Sequence, residues 1–327
     1  MNVDIRNASN AQKSLPIIDI SALRDGDLKA RKRIAQQIRS ACVDKGFFYI
    51  AGHGIAEPLI DNVLTQAREF FALPVDAKMA LNKSQSIANR GYEPLGGQVL
   101  EEGSAPDLKE SFFAGSDLAM TDPRVIARQF GRGPNIWPEG LPGFKQAVEA
   151  YYTAMTALGS TLYRVLALSL DLDENYFAVF YREPMNMLRM IHYPPQPANP
   201  DPNQKGCGAH TDFGGLTILL QDSTGGLQVW DQETDGWISA PPIPGTYVVN
   251  IGNLIAVWTN NLYRSTLHRV INTSGRERYS VPFFVNGDPE YPITCIPTCL
   301  ASGETPKFPD TTITQHFSNM YRKTYVV

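Results

Sequence analysis

Apolar positions along this chain follow two regimes. Up to about residue 170 they recur at helical spacing, and from residue 186 they come in short runs cut by turn residues. Leu28, Ile34, Ala35, Ile38, Ala41 and Cys42 share one helical face and predict a helix over 28–45. Asp25 or Asp27 caps it and Gly46 stops it. Leu59, Ile60, Val63, Leu64, Ala67, Phe70 and Phe71 predict a second helix, opened by Glu57-Pro58 and ended before Pro74. The longest helix, about 143–169, follows Pro142, with Phe144, Val148, Tyr151, Met155, Leu158, Leu162, Val165, Leu166 and Leu170 as its buried stripe. Strands are expected at 16–20 and 47–51. Residues 1–14 are polar and expected to fray. Residues 82–118 read as loop, with Gly91, Gly96, Gly97, Gly103 and Pro106, and with a strand near 107–113.

The second half predicts strands at about 186–193, 216–221, 226–231, 246–251, 254–258, 265–272 and 278–285. Thr224-Gly225-Gly226, Pro244-Gly245 and Ser274-Gly275 separate several of them. Many short strands with such turns suggest a sandwich or barrel. The expected class is α+β, mainly β: a double-stranded β-helix (jelly roll) core over 186–290. A helical N-terminal and lid region (1–118), a long central helix and a C-terminal helix (311–325, capped by Thr311 or Thr312) would complete a single domain over 1–327.

Net charge is -4, so no basic footprint points to nucleic acid or anionic membrane. No apolar run approaches the roughly 20 residues of a membrane helix, and Met1 to Arg6 shows no signal pattern. A cytoplasmic protein acting on a small molecule is the expectation; nothing in the sequence sets an oligomeric state. The four cysteines, Cys42, Cys207, Cys295 and Cys299, have no paired metal spacing, and free thiols are expected. Cys207 falls in a loop by this reading, three residues before His210. His53, between Gly52 and Gly54, reads as a turn residue.

Candidate chemistry concentrates in Gly208-Ala209-His210-Thr211-Asp212-Phe213. In extended chain, side chains at i and i+2 point to one face, so His210 and Asp212 can reach one ion. His268, in another strand-like run, can supply a third ligand. Two histidines and one carboxylate leave positions open, as in non-haem Fe(II) oxygenases. Arg278 and Ser280 also share a face, and an Arg fork with a hydroxyl suits a carboxylate. By itself a His-x-Asp pair is weak, and a surface pair or a satisfied core histidine is the alternative.

Taken together, the motifs resemble the iron- and 2-oxoglutarate-dependent dioxygenase superfamily, isopenicillin N synthase-like branch. Leu15-Pro16-Ile17-Ile18-Asp19-Ile20 and Gly46 to Ile55 resemble its N-terminal region. His192-Tyr193-Pro194, His210-Thr211-Asp212, Val249-Asn250-Ile251-Gly252, Trp258-Thr259-Asn260, His268-Arg269-Val270 and Arg278 to Phe284 follow in family order. The resemblance implies Fe(2+) on His210, Asp212 and His268, with 2-oxoglutarate and O2 as cosubstrates and succinate and CO2 as products. It places the far carboxylate of 2-oxoglutarate on Arg278 and Ser280, with Tyr193 adding a hydroxyl. It implies too that the C-terminal helix covers the site. Ile191 stands where members often carry Asn, and Asn253 where many carry Asp, which bears on cosubstrate affinity rather than on the iron ligands.

If Tyr193 faces inward, strand parity turns Ile191, Arg189 and Met187 inward too. Arg189 then meets either a substrate oxygen or acidic group, or a buried ion-pair partner. Phe284 shares parity with Arg278 and is expected to line the pocket. Phe213 either stacks on a flat substrate or packs in the core. Asn89, Arg90 and Tyr92 are candidate lid contacts, with solvent-facing turn residues as the alternative. The resemblance points to fungal secondary metabolism: hydroxylation or oxidative ring expansion of a small cyclic or aromatic compound, including tropolone formation. A pyrimidine hydroxylase of the thymine type, an oxidase that does not use 2-oxoglutarate, and a non-catalytic binder are the alternatives.

Overall fold

Period-two alternation in the strands decides where every layer of this protein lies. The computed structural model describes residues 14–196, 201 and 203–324; the expected frayed segment falls almost wholly outside them. The first part of the chain comprises β1 (Ile17–Asp19), α1 (Ala22–Asp25), α2 (Leu28–Asp44), β2 (Phe47–Ala51), α3 (Glu57–Phe71), α4 (Val75–Met79), β3 (Gly91–Glu93), β4 (Glu110–Gly115) and α5 (Pro123–Ile126). Then come α6 (Phe144–Ser169), β5 (Met187–Tyr193), β6 (Cys207–His210), β7 (Leu216–Gln221), β8 (Leu227–Asp231), β9 (Gly236–Ser239) and β10 (Thr246–Ile251). Last are α7 (Asn253–Trp258), β11 (His268–Val270), β12 (Arg278–Val285) and α8 (Ile313–Thr324).

The strands form two sheets, β1-β2-β10-β7-β12-β5-β4-β3 and β6-β11-β8-β9. This is the expected jelly roll. In the larger sheet one set of alternate residues joins a core with the helices: Phe48 and Ile50, Phe112, Leu188 and Met190, Ile218, Val249, Val281 and Phe283. The other set faces the smaller sheet, and Phe47, Tyr49, Ile191, Tyr193 and Val248 pack there with Cys207, Val229 and Val270. A slip of one residue in any strand would exchange these faces, so register is strongly specified.

The helices form as their patterns require. The Asp27 side chain accepts from Ala30 N at 2.7 Å and starts α2, and Gly46 follows its end at φ 65°, where a Cβ would meet the Arg264 carbonyl. Leu28, expected inward, is exposed at the first turn. Helix α6 is the backbone of the apolar layer, with Phe144, Val148, Tyr151, Met155, Leu162 and Leu166 buried. Phe70 of α3 joins it to the sheet, its ring touching Phe71, Tyr92, Phe112 and Phe144. Thr312 Oγ1 accepts from Gln315 N at 3.2 Å and caps α8.

Three expectations are corrected. The run at 254–258 is helix α7 and not a strand: Leu254, Ile255, Ala256 and Trp258 are buried, and a short all-apolar run carries no period. Residues 82–118 contain β3 and β4, and the strand expected at 107–113 runs from Glu110 to Gly115. Strands β6 and β9, each of four residues, lack an apolar run long enough to signal them. His53 is a turn residue as expected, its Nδ1 accepting from Ile55 N at 3.1 Å.

Truncating Phe70 removes the ring that ties α3, β4 and α6 together, so Phe70→Ala should cost about 3–5 kcal/mol. Urea unfolding followed by circular dichroism measures it; a loss below about 1 kcal/mol would contradict this packing.

Candidate active site

Cross-strand register builds the site. Strand β11 runs antiparallel to β6, and His268 sits directly opposite His210. Their rings lie 4.2 Å apart between centroids. Asp212 follows two residues after His210, where the chain leaves β6 for β7. Donor atoms of His210, Asp212 and His268 all lie within 4.8 Å of one another. Nε2 of each histidine is 3.7 Å from Asp212 Oδ1.

Each ligand is oriented by a neighbour. Nδ1 of His210 lies 2.8 Å from Gly208 O, and Nδ1 of His268 lies 3.2 Å from Thr266 O. Proton donation to those carbonyls leaves both Nε2 lone pairs for a metal. Asp212 Oδ2 accepts from Thr217 Oγ1 at 2.6 Å and from Asn250 Nδ2 at 2.7 Å, so Oδ1 is the oxygen turned to the imidazoles. The Asn253 amide donates to Asp212 O at 2.7 Å, and its side chain reaches Thr211 Oγ1 at 3.1 Å. Burial pushes His210 below its ordinary value, and burial together with the His210 ring does the same for His268. Burial opposes ionisation of Asp212, yet the two rings and the bonds from Asn250 and Thr217 hold its carboxyl below the usual range. Two neutral imidazoles and one carboxylate make a donor set suited to a divalent transition metal with open positions.

On the same inner face of the large sheet lies Arg278, fully buried. Nε donates to Gly225 O at 2.5 Å, Nη2 to Gln221 Oε1 at 3.0 Å and Nη1 to Ser280 Oγ at 3.3 Å. Its guanidinium lies 4.7 Å from the centroid of the Tyr193 ring. Among the described residues no carboxylate pairs with it, so a buried positive charge rests on neutral acceptors alone. Such a charge is costly without a counter-ion, and a carboxylate ligand fits the place. The Tyr193 hydroxyl has no hydrogen-bond partner among the described residues.

A cavity of about 460 Å³ opens beside the triad. Its lining includes the candidates Met187, Arg189, Phe213, Phe284, Asn89 and Arg90. Phe317 of α8 joins the lining, and His316 Nε2 lies 2.9 Å from Phe213 O. Two expected residues are elsewhere. Tyr92 has the opposite parity to Glu93: it packs on Phe70, and its hydroxyl donates to Glu110 Oε2 at 2.5 Å. Ile191 does face inward, but it lies in the apolar cluster with Tyr193 and Cys207, outside the cavity lining. Cys207 is on β6 rather than in a loop, its Sγ 3.2 Å from Lys109 Nζ. Thr217 and Asn250 were not anticipated. Both occupy buried inward positions between apolar neighbours on their strands, and that buried polar placement is the signal that marks them.

The family model described as 2OG-Fe(II) oxygenase superfamily matches residues 184–287, and that of the non-haem dioxygenase in morphine synthesis N-terminal matches 15–140. The chain is 42% identical to the 2-oxoglutarate-Fe(II) type oxidoreductase hxnY of Emericella nidulans, over 95% of this chain and 90% of that one. It is 38% identical to the 2-oxoglutarate-dependent dioxygenase tropC of Talaromyces stipitatus, over 84% and 86%. Among solved structures, a full-length Neurospora crassa protein in complex with alpha-KG superposes with a TM-score of 0.84 at 31% identity, over 95% and 96%. That Neurospora crassa protein is also known in complex with alpha-KG and thymine.

Removing either support of Asp212 should weaken divalent metal binding. Thr217→Val and Asn250→Ala are each expected to lose about 10–100-fold in affinity. Competition of Mn(II) or Fe(II) against a chelating dye reads this directly, and unchanged affinity in both variants would show that the supports do not position the carboxylate.

Proposed function

The chain belongs to the 2OG-Fe(II) oxygenase superfamily and is an iron- and 2-oxoglutarate-dependent dioxygenase, and on that premise we propose that it oxidises a C–H bond of a small cyclic or aromatic compound. The supporting observation is the cavity beside the triad, walled by Phe113, Phe130, Phe213, Phe284 and Phe317. Flat aromatic walls favour a ring substrate through stacked and edge contacts. The product is a hydroxylated ring or, by oxidative rearrangement, an expanded one.

Bound iron and 2-oxoglutarate supply the activation of O2 and the oxidising power, with release of succinate and CO2. The chain's own residues do the rest. His210, Asp212 and His268 hold the metal, with Thr217 and Asn250 keeping the carboxylate turned. Arg278 and Ser280 receive the far carboxylate of 2-oxoglutarate, and the Tyr193 hydroxyl adds a bond there. The phenylalanine walls and α8 exclude water and hold the substrate ring toward the metal. The chain is taken as one domain, supported by an apolar cluster that includes side chains from Ile18 to Phe317.

A pyrimidine hydroxylase is the second reading, favoured by the superposition on the Neurospora crassa protein known with thymine bound. Turnover of thymine against a panel of phenolic and other aromatic rings separates the two. The oxidase alternative is separated by its products, since an oxidase of that kind would turn over without forming succinate, with Arg278 holding the substrate's own carboxylate.

Anaerobic titration of the Fe(II)-loaded protein with 2-oxoglutarate should produce a weak visible charge-transfer band. Arg278→Ala should weaken 2-oxoglutarate by about 2–5 kcal/mol, ~30-fold or more, and His210→Ala should abolish the band. A full band in both variants, or turnover without succinate, would sink this reading.

A further inference from the structure

One wall of the cavity sets two cations against a single carboxylate. Strands β3, β4 and β5 are neighbours, and their register puts Arg189 opposite Phe113 and Glu93 opposite Ser111. All four side chains therefore project from the inner face. Arg189 Nε donates to Ser111 Oγ at 2.9 Å, and Nη2 donates to Glu93 Oε2 at 2.8 Å and Gln98 Oε1 at 3.2 Å. Lys83, on a short 3-10 turn, pairs with the other oxygen of Glu93. Both cations lie over the Phe113 ring, Lys83 at 5.1 Å and Arg189 at 4.7 Å from its centroid.

One carboxylate thus serves two cations. Arg90 also lines the cavity, laid across Gly115, where a Cβ would collide with its guanidinium, and donates to Gly131 O at 3.0 Å. Within this wall, among the described residues, Arg189 and Lys83 share the single Glu93 carboxylate. Glu93 and Arg189 are 3% and 8% exposed, so their charges are largely shielded from solvent. Although burial opposes it, Arg189 and Lys83 hold the Glu93 carboxyl below its ordinary range; it accepts hydrogen bonds and offers none to a substrate oxygen. Nη1 of Arg189 has no hydrogen bond to a described residue, nor is it among the fully buried polar atoms without a partner. It is the donor of this group that reaches the cavity.

We propose that the substrate is a ring compound carrying a carboxylate, which Arg189 Nη1 and Lys83 receive beside Glu93. This rests on the reading of the cavity as the substrate site. Arg189 is buried and Lys83 is 29% exposed at the rim; a partly desolvated positive excess is costly until a counter-ion arrives, and a carboxylate supplies charge-assisted bonds about twice as strong as those of a neutral group. Glu93 keeps the two cations in place and lowers the penalty of the empty site. A neutral ring of the same shape gains the aromatic contacts alone.

The test uses the full chain loaded with Mn(II) and 2-oxoglutarate, titrated calorimetrically with matched acids and amides: benzoate and benzamide, phenylacetate and phenylacetamide, 1-naphthoate and 1-naphthamide. At least one acid should bind about tenfold more tightly than its amide. Arg189→Gln should reduce that preference to about threefold or less, and Glu93→Gln should tighten the acid. Should Arg189→Gln not fold, Lys83→Gln, at the cavity rim, should lower the preference instead. Equal binding of acid and amide in every pair would overturn the proposal, as would a preference unchanged in the folded variants. Failure of the dioxygenase reading is seen separately: it removes the charge-transfer band, whereas failure of this proposal leaves the band and removes only the acid preference.

Discussion

Two hydrogen bonds to one oxygen organise the centre of this protein. Thr217 Oγ1 and Asn250 Nδ2 both donate to Asp212 Oδ2, and the other carboxylate oxygen is left to face the two imidazoles. Thr217 lies on β7 and Asn250 on β10, and these strands pair with Asn250 opposite Thr217. The carboxylate is therefore clamped by a cross-strand pair in the large sheet, while the histidines are a cross-strand pair in the small one. Neither sheet alone makes the site. Its geometry depends on the two inner faces meeting at their set separation, which the apolar packing on both sides maintains.

The same alternation separates chemistry from stability along single strands. On β12, Arg278 and Ser280 face inward while Tyr279, Val281, Phe283 and Val285 pack with the helices. On β5, Arg189 and Tyr193 face inward, while Leu188 and Met190 join the core and His192 stacks on Tyr279 at 4.9 Å. A second polar cluster lies on the outer face: Glu110 accepts from Lys78 and Tyr92 and contacts His192 Nδ1 at 2.8 Å. Buried ionic groups of this kind are weak contributors to stability unless fully satisfied, and here the Glu110 oxygens are met by three partners. Among the described residues, no helix is long and apolar enough to cross a membrane.

The cavity wall proposed to receive the substrate is built from elements that sequence periodicity read least well. Strand β3 lies within the stretch expected to be loop, and β4 is shifted from the strand expected near 107–113; together they carry Glu93, Ser111 and Phe113 to the cavity wall. Arg189 had two readings, substrate contact or ion pair. The structure gives it the ion pair with Glu93 and leaves one donor toward the cavity. Phe213 lines the cavity while packing against the main core.

By itself the sequence determined what depends on local spacing. The i, i+2 relation of His210 to Asp212 and of Arg278 to Ser280, the amphipathic faces of α2, α3 and α6, and the inward parity of β5 all follow from chain geometry within a few residues. Motif order supplied the family and its fold. Only the tertiary structure decided the rest, because it depends on partners far apart in sequence. It placed His268 opposite His210, put Thr217 and Asn250 on one oxygen, turned Tyr92 to the outer face, and made 254–258 a helix by satisfying its backbone against Asp212 and Gly214. A short apolar run or a lone glutamate has the same local appearance wherever it lies. Which face it meets, and which charge it answers, is set by pairing between strands that lie far apart along the chain.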